Sequence, residues 1–474
     1  MKPKIQMEIR ARDHDQLVAV ATVDTKVKRP GGLLSLPAVC PNVLYLNAML
    51  KCNAGDRREI VYGRMLALVT TAAVDPALPR EVAALSAFLL YHLDAGFERI
   101  FVFLDMTACV EDVTSRLHPA AARASIDHVE FVARPTAEAA YPSCARFASL
   151  RLCLADEVQA RQQLNCELAM RRCLARNVDA APRALAWLVH LDLDEALYSP
   201  GPPLTTFFAN LDASIDQFTF VNHEAVPTST SSSGNFMVDV THFKVNHLVA
   251  PFTPGARAAM RRFQARTAHG QYMLAYDNGK SAVRVGGDVV PASVHKWTTK
   301  RSSVCNFADP RHLDIGHTVS HAQSPWVLHY PNCGYDWFET KYARLGPFPD
   351  AWFQGALPIE PCFHTNARDV WLSCVKKGDD NAMREMYKTQ VVLADSTEMA
   401  ECVREGVCLS ITKVADRVAA LMGAKAAPRS ETLTREDGRV DGKEPKQSDP
   451  PTVAGGYNSE KAWMLAAIAQ QFLT

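Results

Sequence analysis

The stretch Trp187-Leu188-Val189-His190-Leu191-Asp192-Leu193-Asp194-Glu195 constrains this chain more than any other, because an apolar run ends abruptly in three acids. A short apolar run of this kind reads as a buried strand. An unpartnered carboxylate inside a protein is strongly unfavourable, so the acids belong at the strand tip, with a cation, a donor network or solvent. Side chains alternate along an extended chain, which sends Asp192 and Asp194 to the same side. In open α/β sheets, ligands bind beyond the carboxyl ends of the strands. Two carboxylates there suit a hard divalent cation, Mg²⁺ or Mn²⁺, which would in turn hold a diphosphate. The simpler alternative is a capping turn, in which the acidic pair only starts the next element.

The surrounding pattern is β-α-β. Met65 to Thr71 reads as a buried strand, and Pro79 to Gly96 as a helix with proline at its start and glycine at its stop. Arg99 to Asp105 and His128 to Ala133 follow as strands, so the class is α/β with a mostly parallel sheet and crossover helices. Residues 144 to 177, rich in Ala, Leu, Arg and Gln, read as one long helix, and Gln217 to Asn222 and Phe236 to Val245 as further strands. Residues 1–60 carry Pro30-Gly31-Gly32 and little periodicity, which reads as an irregular N-terminal extension. The main domain is expected over 61–424. Residues 425–456 have the charged, Pro/Ser/Gly-containing composition of a disordered linker, and 457–474 of a short amphipathic helix through Trp463, Leu465, Ile468 and Phe472.

Fifty-one basic residues balance 51 acidic ones, which argues against nucleic acid or an anionic membrane as the main partner. Thirteen cysteines occur without a Cys-x-x-Cys pair, so no zinc ribbon is expected and the thiols read as mostly reduced. There is no apolar N-terminal core, no run of 18 apolar residues and no Asn-x-Ser/Thr sequon, so the expectation from the residues is a cytoplasmic protein without a transmembrane segment.

Several motifs fail. Gly279-Lys280-Ser281 resembles the end of a phosphate-binding loop, but Leu274 stands where the loop requires glycine, and the stretch reads as a turn between strands. An aspartyl-phosphate phosphatase would need Thr or Val where Ala196 stands. Other residues remain candidates. His329 ends the apolar run Trp326-Val327-Leu328; its imidazole could complete a cation's coordination, and Lys341, one helix later, could neutralise a diphosphate. The alternative is a core histidine. His295-Lys296-Trp297 is a second pair of that kind. Glu224, in Asn222-His223-Glu224, ends the strand after the acidic one and either faces an acceptor or is a solvated turn residue. Arg368 grips phosphate or makes a surface salt bridge.

Taken in order, these pieces resemble metal-dependent glycosyltransferases of the GT-A type, the family-92 and family-2-like group. The landmarks are Tyr91-His92-Leu93-Asp94-Ala95-Gly96-Phe97, the strand Ile100 to Asp105, Trp187 to Glu195 with its Asp-x-Asp-Glu, and Asn222-His223-Glu224. They continue with Thr241-His242-Phe243-Lys244, Gly279 to Arg284, Ser293-Val294-His295, and His329-Tyr330 through Lys341. The resemblance implies a Rossmann-like, three-layer GT-A domain with an additional C-terminal helical region. It implies transfer of a sugar from a nucleotide-diphosphate donor, a UDP-sugar, to a hydroxyl of a glycan or glycoconjugate, with inversion. Mn²⁺ or Mg²⁺ would sit on Asp192, Asp194 and His329; Glu224 would be the base; and Asp105, Asp192 and Lys341 would contact the donor. Relatives commonly carry an acidic Asn-Glu pair after the first strand and a membrane anchor that places them in the Golgi lumen. Here Ala73-Val74-Asp75 stands near that position and the anchor is missing. A catalytically silent binding relative and a metal-assisted phosphohydrolase are the alternatives. Asp→Asn at 192 or 194 is expected to abolish metal-dependent donor binding and to spare folding.

Overall fold

Alternate residues of Met65–Ala72 enter two different cores, and this splits the main body into layers. Leu66 and Leu68 join Val82, Leu85, Phe88 and Leu89 of the helix Pro79–Asp94 on one side. Ala67 and Val69 join Leu164, Leu168 and Cys173 of the helix Val158–Asp179 on the other. A sheet buried on both faces must be apolar on both, which is why these strands read as continuous runs. In this computed structural model the described residues are 65–106, 109–179, 184–299, 302–305 and 323–423, with the strands Gln6–Asp13, Gln16–Asp24 and Met49–Lys51 near the N-terminus. The expected linker at 425–456 and the helix at 457–474 lie outside them.

The chain divides into two units, Met1–Gly63 and Arg64–Thr474. The first contains a three-stranded antiparallel sheet with Gln6–Asp13 in the middle, where an irregular extension was expected. Alternating β-branched residues such as Val18, Val20 and Thr22 supply the strand preference.

The second unit is mixed α/β. Its seven-stranded sheet runs Ser302–Cys305, Ile215–Phe220, Lys280–Arg284, Leu185–His190, Met65–Ala72, Phe97–Leu104, Val129–Ala133. Pairing is parallel throughout except at Lys280–Arg284, which runs against both neighbours. Beside it lies a five-stranded sheet in the order Cys408–Ser410, His242–Lys244, Asn222–Ala225, Trp326–His329, Glu195–Tyr198. The chain passes directly from Leu185–His190 into Glu195–Tyr198, and from Ile215–Phe220 into Asn222–Ala225. The acidic turn therefore lies at the seam between the sheets. Towards the C-terminus the helices Tyr335–Leu345, Phe363–Lys377 and Asn381–Met386 share a core of their own.

Two elements differ from the sequence reading. The expected helix at 144–177 is broken, and only Val158–Asp179 is a long helix. Glu157, buried just before it, accepts from the backbone N–H of Phe353 and Gln354 (2.8 and 3.3 Å), a distant contact that fixes the turn. Phe236 to Val245 begins as the helix Phe236–Asp239, capped by the Asn235 side chain on Met237 N, before the strand His242–Lys244. Among the described residues no helix is long and apolar enough to cross a membrane.

Candidate functional site

The acidic turn is closed by its own backbone. Asp192 N–H donates to Glu195 Oε2 (2.8 Å) and Glu195 N–H to the Asp192 carbonyl (3.1 Å), so a backbone turn is reinforced by the Glu195 side chain. Tyr330 N–H donates to the Asp194 carbonyl (2.8 Å), which ties the turn to the end of Trp326–His329. His329 and Asp194 thereby come together, with His329 Nε2 3.7 Å from Asp194 Oδ2.

Asp192 has different company. Its Oδ1 accepts from Gln162 Nε2 (2.6 Å) and its Oδ2 from Lys280 Nζ (2.7 Å). The Lys280 side chain is 1% exposed, against 24% for Asp192 and 34% for Asp194. Burial works against ionising Asp192, but the ammonium outweighs it and holds the carboxyl well below the usual range. Lys280 is affected reciprocally: burial opposes its charge, and Asp192 with Glu195 raises its pKa nonetheless. Glu195 is buried, 3.8 Å from that ammonium, and burial pushes its carboxyl well above the ordinary value.

Three imidazoles and a phenol surround these charges. His190 Nδ1 donates to the Val294 carbonyl (2.9 Å), and burial, with Lys280 adding, pushes its pKa down to about 4. His295 Nδ1 donates to the Gly279 carbonyl (2.7 Å), and burial likewise lowers it. Tyr276 stacks on His329, ring centroids 4.5 Å apart, and lies under the Lys280 ammonium at 5.4 Å. His190 Nε2, Glu195 Oε1, His329 Nδ1 and the Tyr276 hydroxyl are buried and have no hydrogen-bond partner among the described residues. Orphaned polar atoms of this kind, gathered at a strand tip, mark a place where further polar groups are accommodated.

The other expected site residues lie elsewhere or are committed. Glu224 is buried; it accepts from Leu274 N (2.9 and 3.0 Å) and Ala275 N (2.8 Å) and pairs with Lys244 Nζ (2.7 Å). Both oxygens are spent holding the 274–275 backbone, so Glu224 is an anchor with no oxygen turned toward an acceptor. Asp105 is buried and gripped by Arg161 through both oxygens (2.6 and 2.7 Å), which gives it a structural ion pair. Lys341 Nζ donates to the Pro331 carbonyl (3.2 Å) and has no carboxylate partner among the described residues. Arg368 pairs with Asp350 and Asp369 (both 2.7 Å), a structural bridge. After the first strand, Arg344 donates to the Ala73 carbonyl (2.9 Å) and pairs with buried Glu81, which also accepts from Asp75 N.

The expected metal set does not fit as a set. Among the described residues no group of three or more His, Cys, Asp and Glu side chains is disposed to hold a metal ion. Asp194 and His329 remain compatible with a cation, whereas Asp192 already carries an ammonium on the oxygen a cation would need. Lys280 is a site residue that no sequence motif singles out: the turn Gly279-Lys280-Ser281 delivers its ammonium to the acidic tip. A cavity of about 420 Å³ lined by Tyr335, Glu339, Trp371, Asp380 and Met383 shares no residue with this tip.

No protein-family model matches the chain. Two proteins of Arabidopsis thaliana, both named glycosyltransferase-like, are 24% and 23% identical to it over 260 residues. The matched region is 54% of this chain and 45% and 51% of those proteins, so the chain spans about half the length of the curated relatives it matches.

Proposed function

We propose that the chain is a glycosyltransferase of the GT-A type, moving a sugar from a nucleotide-diphosphate donor, a UDP-sugar, to a glycan hydroxyl with inversion. The observation that carries this reading is the acidic tip itself. Asp194 stands half-exposed, 3.7 Å from His329, at the end of a parallel strand and at the seam of two sheets. The names of the two plant relatives point the same way. Asp194 and His329 are the residues that would hold Mn²⁺ or Mg²⁺, whose contribution would be to neutralise a diphosphate. Lys341, whose Nζ donates to the Pro331 carbonyl two residues after His329, would supply a positive charge. No proton transfer is placed on Glu224, because its oxygens are occupied.

A second reading, a binding relative without turnover, draws on the self-satisfied Asp192, whose oxygens already have partners. One experiment separates them. UDP-, GDP- and CMP-sugars are titrated against the melting temperature, with Asp194→Asn alongside, and slow donor hydrolysis is followed without acceptor. A ligand at about 100 times its Kd stabilises the folded state by about 2.7 kcal/mol. Stabilisation by one donor class, lost in Asp194→Asn, with hydrolysis, supports the transferase; stabilisation without hydrolysis supports the binding relative. No shift from any nucleotide sugar at millimolar concentration would sink both.

A further inference from the structure

We infer that Lys280 is the resident cation of the acidic tip: its ammonium occupies the place at Asp192 that a divalent ion would need, so Asp192 is positioned by a covalent part of the chain and takes no metal. The consequence for donor use rests on the transferase reading, but the ion pair does not.

The lysine is delivered by a built device. Lys280–Arg284 is the reversed strand of the main sheet and pairs Ala282 with Val189, Val283 with Leu188 and Arg284 with Trp187. Two residues further along that register, Lys280 comes beside the start of the acidic turn. Before it, Gly279 has φ +67°, and a Cβ there would lie 1.8 Å from the Phe220 carbonyl oxygen, so only glycine fits the turn. Gly279 N–H donates to Asn222 Oδ1 (3.1 Å), and Asn222 Nδ2 to the Tyr276 carbonyl (2.9 Å). Asn246 Nδ2 donates to Asn222 Oδ1 and to the Asp277 carbonyl (3.2 and 2.7 Å). With His295 on the Gly279 carbonyl, the Gly279 N–H and the carbonyls of Tyr276, Asp277 and Gly279 are all held by side chains, which fixes the turn that carries the lysine.

At the end of that stem the ammonium meets two oxygen acceptors and an aromatic face. It donates to Asp192 Oδ2 (2.7 Å) and to the Val294 carbonyl (3.4 Å) and rests over the Tyr276 ring. Gln162 closes the other Asp192 oxygen. A dication on Asp192 would sit within a few ångströms of a buried ammonium, where water screens poorly and like charges repel strongly. Lys280 is therefore a positioning residue that fixes the charge and orientation of Asp192 and leaves Asp194 and His329 as the tip's open donors.

The test uses MnCl₂ alone, without nucleotide, on the full chain, read by isothermal titration and by the electron paramagnetic resonance signal of free Mn²⁺. Wild type and the paired variant Lys280→Met/Asp192→Leu, which removes both charges together and so avoids an unpaired buried charge, should bind Mn²⁺ within twofold of each other. Lys280→Arg should match wild type. Lys280→Gln should gain at least tenfold in Mn²⁺ affinity, and adding Asp192→Asn should erase the gain. A tenfold or greater loss of Mn²⁺ affinity in the paired variant, or a folded Lys280→Gln without gain, overturns the inference; if Lys280→Gln does not fold, the paired variant decides. Because no donor is present, failure here leaves the transferase reading standing, and failure of the donor titration leaves this one standing.

Discussion

Asp192→Asn and Asp194→Asn change neighbouring carboxylates in the same way, yet their effects on stability should differ by several kcal/mol. Asp192 is bonded to Lys280 at 2.7 Å, and the lysine side chain is 1% exposed. Neutralising one partner of such a pair leaves a buried ammonium uncompensated, a loss of about 3–5 kcal/mol. Asp192 is itself 24% exposed, and the water that reaches it brings the expectation to the lower end, about 3 kcal/mol. Asp194 is 34% exposed, and among the described residues its carboxylate pairs with His329 Nε2 at 3.7 Å, so its replacement should cost no more than about 1 kcal/mol. This corrects the expectation from sequence that either change spares folding, which counted repulsion between the acids and not the lysine. The assay is urea unfolding at neutral pH with linear extrapolation. The paired Lys280→Met/Asp192→Leu variant should return to within about 1–2 kcal/mol of wild type, since a buried ion pair can be exchanged for apolar groups at little net loss. An Asp192→Asn protein as stable as Asp194→Asn would show that Lys280 does not depend on Asp192, and the reasoning would fail.

Glu224→Gln should lower stability by about 3 kcal/mol or more, because it strands buried Lys244, and Lys244→Met in the same chain should recover part of the loss; unchanged stability with lost turnover would instead make Glu224 the base. Acid should destabilise the protein through its buried histidines. His92 accepts from Leu197 N (3.2 Å) and donates to the Phe88 carbonyl (2.8 Å), and burial lowers its pKa to about 3. A depressed histidine pKa means the folded state binds fewer protons, so its contribution is complete above about pH 6.5 and is lost as pH falls toward 3. Between pH 7.5 and 5 the loss from His92 is about 2 kcal/mol. His190 and His364 act in the same direction. In His92→Leu the acid-induced loss should shrink by that amount, and parallel unfolding curves for the two proteins against pH would refute the assignment.

Much of the α/β frame is legible in the chain because local period and burial agree. Met65–Ala72, Phe97–Leu104 and Val129–Ala133 are short strands with mostly apolar, buried centres, and a proline-started, glycine-stopped helix separates the first two, the pattern of a sheet covered on both faces. The acidic tip is legible for the same reason, as an abrupt end to such a run. Its partners are not. Lys280 lies 88 residues from Asp192, and Arg161 lies 56 from Asp105. Whether a carboxylate is open or capped depends on which distant cation the sheet register brings alongside, and no short window carries that information. Glu224 and Lys244 come closest to being readable, since they are directly opposed on antiparallel neighbours, but only once that pairing is known. The broken helix before Val158 has the same cause: its composition favours helix, and a contact from Glu157 to the backbone at 353–354 overrules it.

The charges at the tip also decide how an anionic donor would be received. Asp192 and Lys280 cancel one another below the surface, so neither supplies net charge to a ligand. What remains toward solvent is Asp194, tied through its carbonyl to Tyr330, and Lys341, tied to the carbonyl of the next residue, Pro331. The Asp194 backbone and the Lys341 ammonium are thus tied to consecutive residues just after the strand Trp326–His329. The acidic motif that draws the eye in the sequence is on this account divided in function. Its first aspartate serves the architecture by neutralising a buried lysine, and its second, 34% exposed beside buried His329, is the more exposed carboxylate of the pair.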